Sequence, residues 1–284
     1  MTDWIAADWG TSNLRLWGMT GSEISWRAAS DRGMGSLAPD QFETALEEAI
    51  ADRAGPGVPV IACGMVGARQ GWIEARYAAV PAAPIGAPFT RAPGRRDVRI
   101  VPGLSQAEPP DVMRGEETQV AGLQALSDFD GVACLPGTHT KWVQVSAGEV
   151  VSFRTAMTGE LFALLSERSV LRHSVEGDMD EDAFDVAVSD AISRPERIAA
   201  ELFGIRAAHL LNGRTGPARL SGLLIGAELA AMRPYWLGQE IRICGAPRLA
   251  ALYARALDAQ GAPSTLHDAE AATLAGLAAA REIP

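Results

Sequence analysis

The sequence predicts an α/β protein of two similarly built domains. Three observations lead there. A strand, turn, strand, turn, strand pattern occurs twice. Strands alternate with helices after the first copy, and a strand running into a helix recurs late in the chain. Nearly half the residues are hydrophobic. Residues 4–30 read WIAADWGTSNLRLWGMTGSEISWRAAS and residues 132–157 read VACLPGTHTKWVQVSAGEVVSFRTAM. Gly10-Thr11 matches Gly137-Thr138, and Gly21 matches Gly148, both at a separation of 127 residues.

Residues 4–8, 13–19 and 23–29 are read as strands because short apolar runs are separated by Gly/Ser turns. From Pro39, PDQFETALEEAIADR places Phe42, Leu46 and Ile50 at helical spacing. VPVIACG (58–64) is a continuous apolar run, hence a buried parallel strand. Residues 65–96, rich in Gly, Pro, Ala and Arg, read as loop. DVRIVPGL (97–104) reads as a strand, and a helix is expected from about Asp111 with two acids near its start. Alternation of this kind indicates an α/β unit. The boundary falls between Ser127 and Gly131, giving domains 1–127 and 128–284, with the last helix free to pack back on the first. Beyond the second meander, helices are expected at 158–171 and 196–211. Another is expected from Gly177, with Phe184, Val188 and Ile192 on its apolar face. ARLSGLLIGAELAAM (218–232) reads as a buried helix. IRICGAP (241–247) is a strand entering a Gly turn, then a helix follows, and an alanine-rich helix (268–281) closes the chain.

Composition limits function. With 284 residues and 48% hydrophobic content, two ordinary domains can each bury a core. A net charge of −10 argues against a non-specific nucleic-acid binder, which needs a basic surface. Cys63, Cys134 and Cys244 each end an apolar run and lack the clustered spacing of a disulfide framework or metal site. No signal-peptide pattern and no membrane-length apolar run is read, so a cytoplasmic location is expected. The oligomeric state is open, a homodimer being one option.

Four motifs carry chemistry. In DWGTSNLR, Asp8 ends a strand and a Gly turn presents Thr11, Ser12 and Asn13. Such a turn can wrap phosphate oxygens while the carboxylate holds magnesium. The plain alternative is an ordinary hairpin, and the duplicate favours function. In LPGTHTKW, Gly137, Thr138, His139 and Thr140 would hold the other side of the phosphates, and Lys141 adds a cation. Strand alternation would put His139 and Lys141 on one face. His139 as a surface turn residue is the alternative. In MRGEETQ, one of Glu116 and Glu117 can face a substrate as base, since helix neighbours diverge by about 100°. Their alternative is to complement the helix dipole. In ICGAPRLAALYARAL, a small-residue turn before a helix lets a flat base approach the backbone, a pattern shared by many α/β turns.

These pieces, in this order, resemble the sugar-kinase/heat-shock-chaperone/actin superfamily. DWGTSNLRLW, GMVGARQGW (64–72), DVMRGEETQ, LPGTHTKWV and FRTAMTGELFALL are similar to the 2-dehydro-3-deoxygalactonokinase family. The resemblance implies two RNase H-like (actin-like ATPase) domains flanking an interdomain cleft. It also implies ATP-dependent phosphorylation of the 6-hydroxyl of 2-keto-3-deoxygalactonate. On that resemblance, Asp8 would position Mg2+. Gly10, Thr11, Ser12, Asn13, Gly137 and Thr138 would cradle the phosphates, with His139 and Lys141 beside them. Gly245 and Ala246 would line the adenine. Glu116 takes the place of the base, an Asp in related glycerol-type kinases, with Glu117 second. Leu135 stands where many members carry a metal-related Asp. The sugar-acid carboxylate calls for an arginine. Arg15, Arg69 and Arg114 are the candidates, each with a structural ion pair as its alternative, and Gln70 and Glu160 could bind hydroxyls.

Three other readings compete. A kinase for another sugar or sugar acid, such as 2-keto-3-deoxygluconate, would share the nucleotide hairpins. A non-catalytic actin- or chaperone-like protein would not need an acid ahead of the second hairpin. An RNase H-like nuclease would need several strand-borne carboxylates around two metals, where only Asp8 sits at a strand end.

Overall fold

The computed structural model describes residues 2–86, 88–214 and 216–283. Two compact units divide the chain. The first comprises Met1–Asp130, Val145–Ser152 and Ala269–Pro284, and the second Gly131–Gln144 and Phe153–Asp268.

The first unit opens with β1 (Trp4–Trp9), β2 (Leu14–Thr20) and β3 (Glu23–Ser30), followed by α1 (Phe42–Ile50) and β4 (Val60–Gly64). Short strands β5 (Ala78–Ala79), β6 (Thr90–Arg91), β7 (Val98–Ile100), β8 (Leu104–Gln106) and β9 (Asp111–Met113) precede helix α2 (Glu116–Leu126). The main sheet runs β3-β2-β1-β4-β7-β6, while β5, β8 and β9 form a small separate sheet. β1 pairs antiparallel with β2 and parallel with β4.

Side-chain alternation along β1 explains why it is apolar almost throughout. Ile5, Ala7 and Trp9 enter a core with Phe42, Leu46 and Ile50 of α1. Trp4 and Ala6 enter the opposite core, with Leu277 and Ala280. The latter two belong to α9 (Ala269–Arg281), the last helix. Asp8 follows Trp4 and Ala6 in that alternation. At the end of β1, Trp9, Phe42 and Trp72 cluster with ring centroids 5.1–6.1 Å apart, an arrangement that adds about 0.5–1.5 kcal/mol per aromatic pair beyond area burial.

The second unit contains β10 (Gly131–Leu135), β11 (Thr140–Ser146), β12 (Glu149–Ala156), α3 (Thr158–Arg168), α4 (Glu181–Ser193), α5 (Ile198–Asn212) and α6 (Pro217–Ala231). It continues with α7 (Arg233–Trp236), β13 (Ile241–Gly245), α8 (Pro247–Asp258) and β14 (Ser264–Asp268). The sheet order is β12-β11-β10-β13-β14, with the tip of the β11–β12 hairpin grouped with the first unit. Both sheets thus place three consecutive strands in reverse order and the next core strand beside the first. Phe184 and Val188 of α4, Ile225 and Leu229 of α6, and Tyr253 and Leu257 of α8 close one core over Val132, Cys134, Ile241 and Ile243. All three cysteines are buried and free at or near strand ends.

Four local expectations are corrected. Residues 97–104 are not one strand, because Pro102-Gly103 separates β7 from β8 and proline cannot donate to a ladder. Asp111 does not begin a helix. Residues 111–113 pair with β8, and the helix starts only after Gly115, whose φ of 104° suits glycine. Helix α3 stops at Arg168, and residues 170–173 form a separate 3₁₀ turn. Strand β14, parallel to β13, precedes the last helix and was not anticipated.

Candidate functional site

In the first unit, the ends of β1 and β4 and the start of α2 converge. Asp8 lies opposite Cys63 in the parallel pair and opposite Arg15 in the antiparallel pair. Gly64 and Gly115 abut, since a Cβ on Gly115 would sit 3.3 Å from the Gly64 Cα. A Cβ on Gly64 would sit 3.4 Å from Asp8 Oδ1. Asp8 forms an ion pair with Arg15, whose side chain is half exposed. The adjoining turn exposes Thr11, Ser12 and Asn13, and Gly10 N donates to Asn13 O at 2.9 Å. Residues 33–35 brace it from behind: Met34 N donates to Gly10 O and Gly35 N to Thr11 O.

The two glutamates at the start of α2 differ sharply. Glu116 is half-buried and its Oε2 accepts from Arg114 N at 3.1 Å. Glu117 is fully buried and accepts from Gly115 N at 2.6 Å and from the Thr118 hydroxyl at 3.1 Å. Burial, reinforced by the neighbouring Glu116 charge, pushes the Glu117 carboxyl up to about 8. Burial likewise holds the Cys63 thiol neutral, with Asp8 and Glu117 adding to the effect. The pair therefore puts an uncharged carboxyl beside the more accessible Glu116 at neutral pH.

The arginine candidates separate as clearly. Arg69 is exposed and its guanidinium lies 3.6 Å from Glu74. Gln70 beside it is exposed. Arg114 is buried, lies under the Tyr77 ring at 4.3 Å, and donates from Nη2 to Ala75 O at 2.7 Å. Its Nε and Nη1 are buried without a partner among the described residues, an expensive state for a cation.

In the second unit the matching turn leaves Thr138 and His139 exposed. His139 Nε2 lies 2.5 Å from Glu160 Oε2, so Glu160 meets a neighbouring side chain. The shared face expected for His139 and Lys141 does not form. β11 begins only at Thr140, leaving His139 in the turn, while Lys141 is buried in the strand with Nζ 3.5 Å from His139 O. The start of α3 is pressed onto this turn: Glu160 N donates to Thr138 O at 2.9 Å, and a Cβ on Gly159 would fall 2.2 Å from Gly137 O. Leu135 is buried in β10.

Beside the turn lies a cavity of about 520 Å³ lined by residues that include Thr138, Phe162, Leu224, Arg248, Leu249 and Tyr253. Its volume is within the range of small-ligand sites. Gly245 and Ala246 lead into α8, whose first turn borders this cavity through Arg248 and Leu249. The Ala246 cap supplies no side-chain acceptor to the free N–H groups of that helix. Phe162, Leu224, Leu249 and Leu252 were not anticipated as pocket residues. Their helical spacing reads equally as core, and only the tertiary structure leaves one side open.

The chain matches the family model of 2-keto-3-deoxy-galactonokinase over residues 8–280. It belongs to that family. Two curated relatives agree. A Rhizobium meliloti (strain 1021) protein named a probable 2-dehydro-3-deoxygalactonokinase is 41% identical, covering 98% of this chain and 96% of the relative. The 2-dehydro-3-deoxygalactonokinase of Escherichia coli (strain K12) is 37% identical, covering 96% of each. The crystal structure of a candidate 2-dehydro-3-deoxygalactonokinase from Sinorhizobium meliloti superposes with a TM-score of 0.91 at 41% identity, covering 98% of this chain and 95% of that one. The activator of 2-hydroxyisocaproyl-CoA dehydratase from Clostridium difficile superposes at 0.52 with 10% identity, covering 99% of this chain and 94% of that one. That distant likeness bears on fold alone, the actin-like ATPase fold of two RNase H-like domains. Membership in the galactonokinase family makes the protein a kinase and implies use of ATP. Among the described residues, no helix is long and apolar enough to cross a membrane.

Proposed function

We propose that this protein transfers the γ-phosphoryl group of ATP to the 6-hydroxyl of 2-dehydro-3-deoxy-D-galactonate, giving the 6-phosphate and ADP in galactonate catabolism. Family membership across nearly the whole chain carries the reading, and the cytoplasm, where ATP is abundant, is the proposed location.

The first unit supplies the acceptor chemistry. The Glu116 carboxylate takes the proton of the acceptor hydroxyl, and the hydroxyl oxygen bonds to the γ-phosphorus. The bond from that phosphorus to the bridging oxygen breaks, and ADP leaves with the electron pair. Phosphoryl transfer depends chiefly on positioning and charge neutralisation. Arg114, buried with two unpartnered nitrogens, is the proposed anchor for the substrate carboxylate. Arg69 and Gln70 are exposed on the loop whose Ala75 carbonyl accepts from Arg114, and Arg15 steadies Asp8. In the second unit the 137–141 turn and the adjoining cavity receive the nucleotide, with Gly245 and Ala246 at the adenine end. Glu160 acts there through His139.

Mg2+ fits a limited donor set. Among the described residues, no three His, Cys, Asp or Glu side chains gather as a metal site. Mg2+ commonly keeps several waters and takes one or two carboxylates plus substrate phosphates. A single carboxylate, that of Asp8, meets that requirement and would hold the ion, which when bound would neutralise phosphate charge.

The deciding experiment measures ADP release with Mg-ATP and three acceptors: 2-keto-3-deoxygalactonate, its gluconate epimer, and glycerol, which lacks the carboxylate assigned to Arg114. Turnover with the galactonate form well above the other two is expected. Equal or greater turnover with the gluconate epimer would reassign the substrate, and glycerol as the better acceptor would remove the Arg114 anchor.

A further inference from the structure

The buried face of helix α6 is apolar apart from Ser221 and one charged group. Glu228 is buried there and, among the described residues, forms no ion pair. Its carboxylate instead collects three neutral donors. Trp142 Nε1 of β11 donates to Oε1 at 2.7 Å. The Thr158 hydroxyl, at the first position of α3, donates to Oε2. The Tyr253 hydroxyl of α8 donates to Oε2 at 2.8 Å. Tyr253 thereby leaves its oxygen free to accept from the Thr140 hydroxyl, 3.0 Å away at the start of β11.

Two of the three donors belong to the cavity, and Trp142 lies in β11 two residues past Thr140. Thr140 begins β11 directly after the 137–139 turn. Thr158 and Tyr253 line the cavity itself, as do Ser221, Leu224 and Ile225 on the same helix as Glu228. Residues three and four apart share a helix face, so Glu228 continues that face one turn beneath the cavity floor. Thr158 fixes the α3 terminus that presses Gly159 onto Gly137 and bonds Glu160 N to Thr138 O. One carboxylate therefore links three elements that border the site: β11, α3 and α8.

We propose that Glu228 is a positioning residue of the nucleotide pocket. It holds the 137–140 turn, the start of α3 and the pocket face of α8 in the relative placement that a nucleotide requires. The assignment rests on the nucleotide site proposed above. Burial raises the Glu228 carboxyl above its usual range while the three donors oppose that rise. The carboxylate is thus retained at an electrostatic cost, as expected of a group kept for the geometry it imposes. An apolar residue would leave an indole N–H and two hydroxyls to find other partners. A glutamine keeps an acceptor for Trp142 and offers an amide to the two hydroxyls, each of which can accept.

The test measures ADP affinity by titration calorimetry, together with the KM for ATP and for the sugar acid. Glu228→Leu is expected to weaken ADP binding and raise the KM for ATP by about tenfold or more, a loss of about 1.4 kcal/mol. The KM for the sugar acid, bound by the first unit, should stay within about twofold, and Glu228→Gln should recover most of the ADP affinity. Unchanged ADP affinity in folded Glu228→Leu overturns the proposal, as does an equal rise in both KM values. If Glu228→Leu does not fold, Thr158→Val decides: a several-fold rise in the KM for ATP alone supports the role, and a wild-type value removes it. Wild-type protein that binds no ADP would instead overturn the nucleotide site and this proposal with it. Wild-type binding with unaffected variants overturns this proposal alone.

Discussion

At the scale of single residues, two adjacent glutamates are given different tasks by burial. Glu116 keeps access to solvent, while Glu117 is sealed beneath the first turn of α2. Glu116→Gln is expected to lower kcat by about 10²–10⁴, the usual range for a lost general base, with little change in the KM for ATP. A variant retaining more than a tenth of wild-type turnover would return the base to another group. Glu117 makes a different prediction. Its carboxyl titrates near 8 when folded and near 4.5 ordinarily, so the folded state binds the extra proton between those values. Stability should therefore fall as pH rises through that window. Glu117→Gln should flatten the decline and melt higher than wild type above pH 8. Parallel melting curves from pH 5 to 9 for the two proteins would show that Glu117 is ionised throughout.

At the scale of elements, helices α2 and α9 pack closely enough to exclude side chains. A Cβ on Gly276 would lie 1.9 Å from Thr118 O, and one on Gly122 1.8 Å from Ala272 O. Backbone contact of that kind holds the glutamate-bearing turn of α2 against the last helix. Gly276→Ala is expected to destabilise the protein by about 1–3 kcal/mol through overpacking, read by urea denaturation. Activity should fall with it, because Thr118 adjoins Glu117. A variant as stable as wild type would mean the helices separate at little cost. The expected α2 start at Asp111 failed for a related reason. The acids near 111–117 looked like a helix beginning, but pairing of 111–113 with β8 and the positive φ of Gly115 postponed it by five residues.

At the scale of the whole molecule, a duplicated meander becomes two sheets with the same strand order around their first strands. The first unit has the glutamate pair at the start of α2 and the second has the cavity beside α8, so a common frame carries unlike chemistry. Nucleotide that binds only the folded protein should stabilise it. At a hundred times its Kd, ADP should add about 2.7 kcal/mol and raise Tm by several degrees. An unchanged Tm under saturating nucleotide would remove the nucleotide reading.

Much of this was legible in the chain itself. The offset of two glycine-threonine turns announced the duplication, the apolar runs announced the central strands, and MRGEETQ announced an acidic helix though not the residue where it starts, because each depends on local spacing alone. Residue type and spacing could not rank Glu116 against Glu117, which the resemblance alone ordered, or Arg69 against Arg114, since adjacent or nearby polar residues look alike until neighbours exclude water from one of them. It offered one overlooked sign, a lone Glu228 within an apolar helix. The three donors that give that residue its role come from positions 142, 158 and 253, and only folding brings such distant groups within hydrogen-bond reach. Periodicity and turn chemistry thus determined the frame, and the resemblance of five segments pointed to the family. Burial, cavity shape and charge state were decided by the tertiary structure, because they depend on which surfaces lose water together.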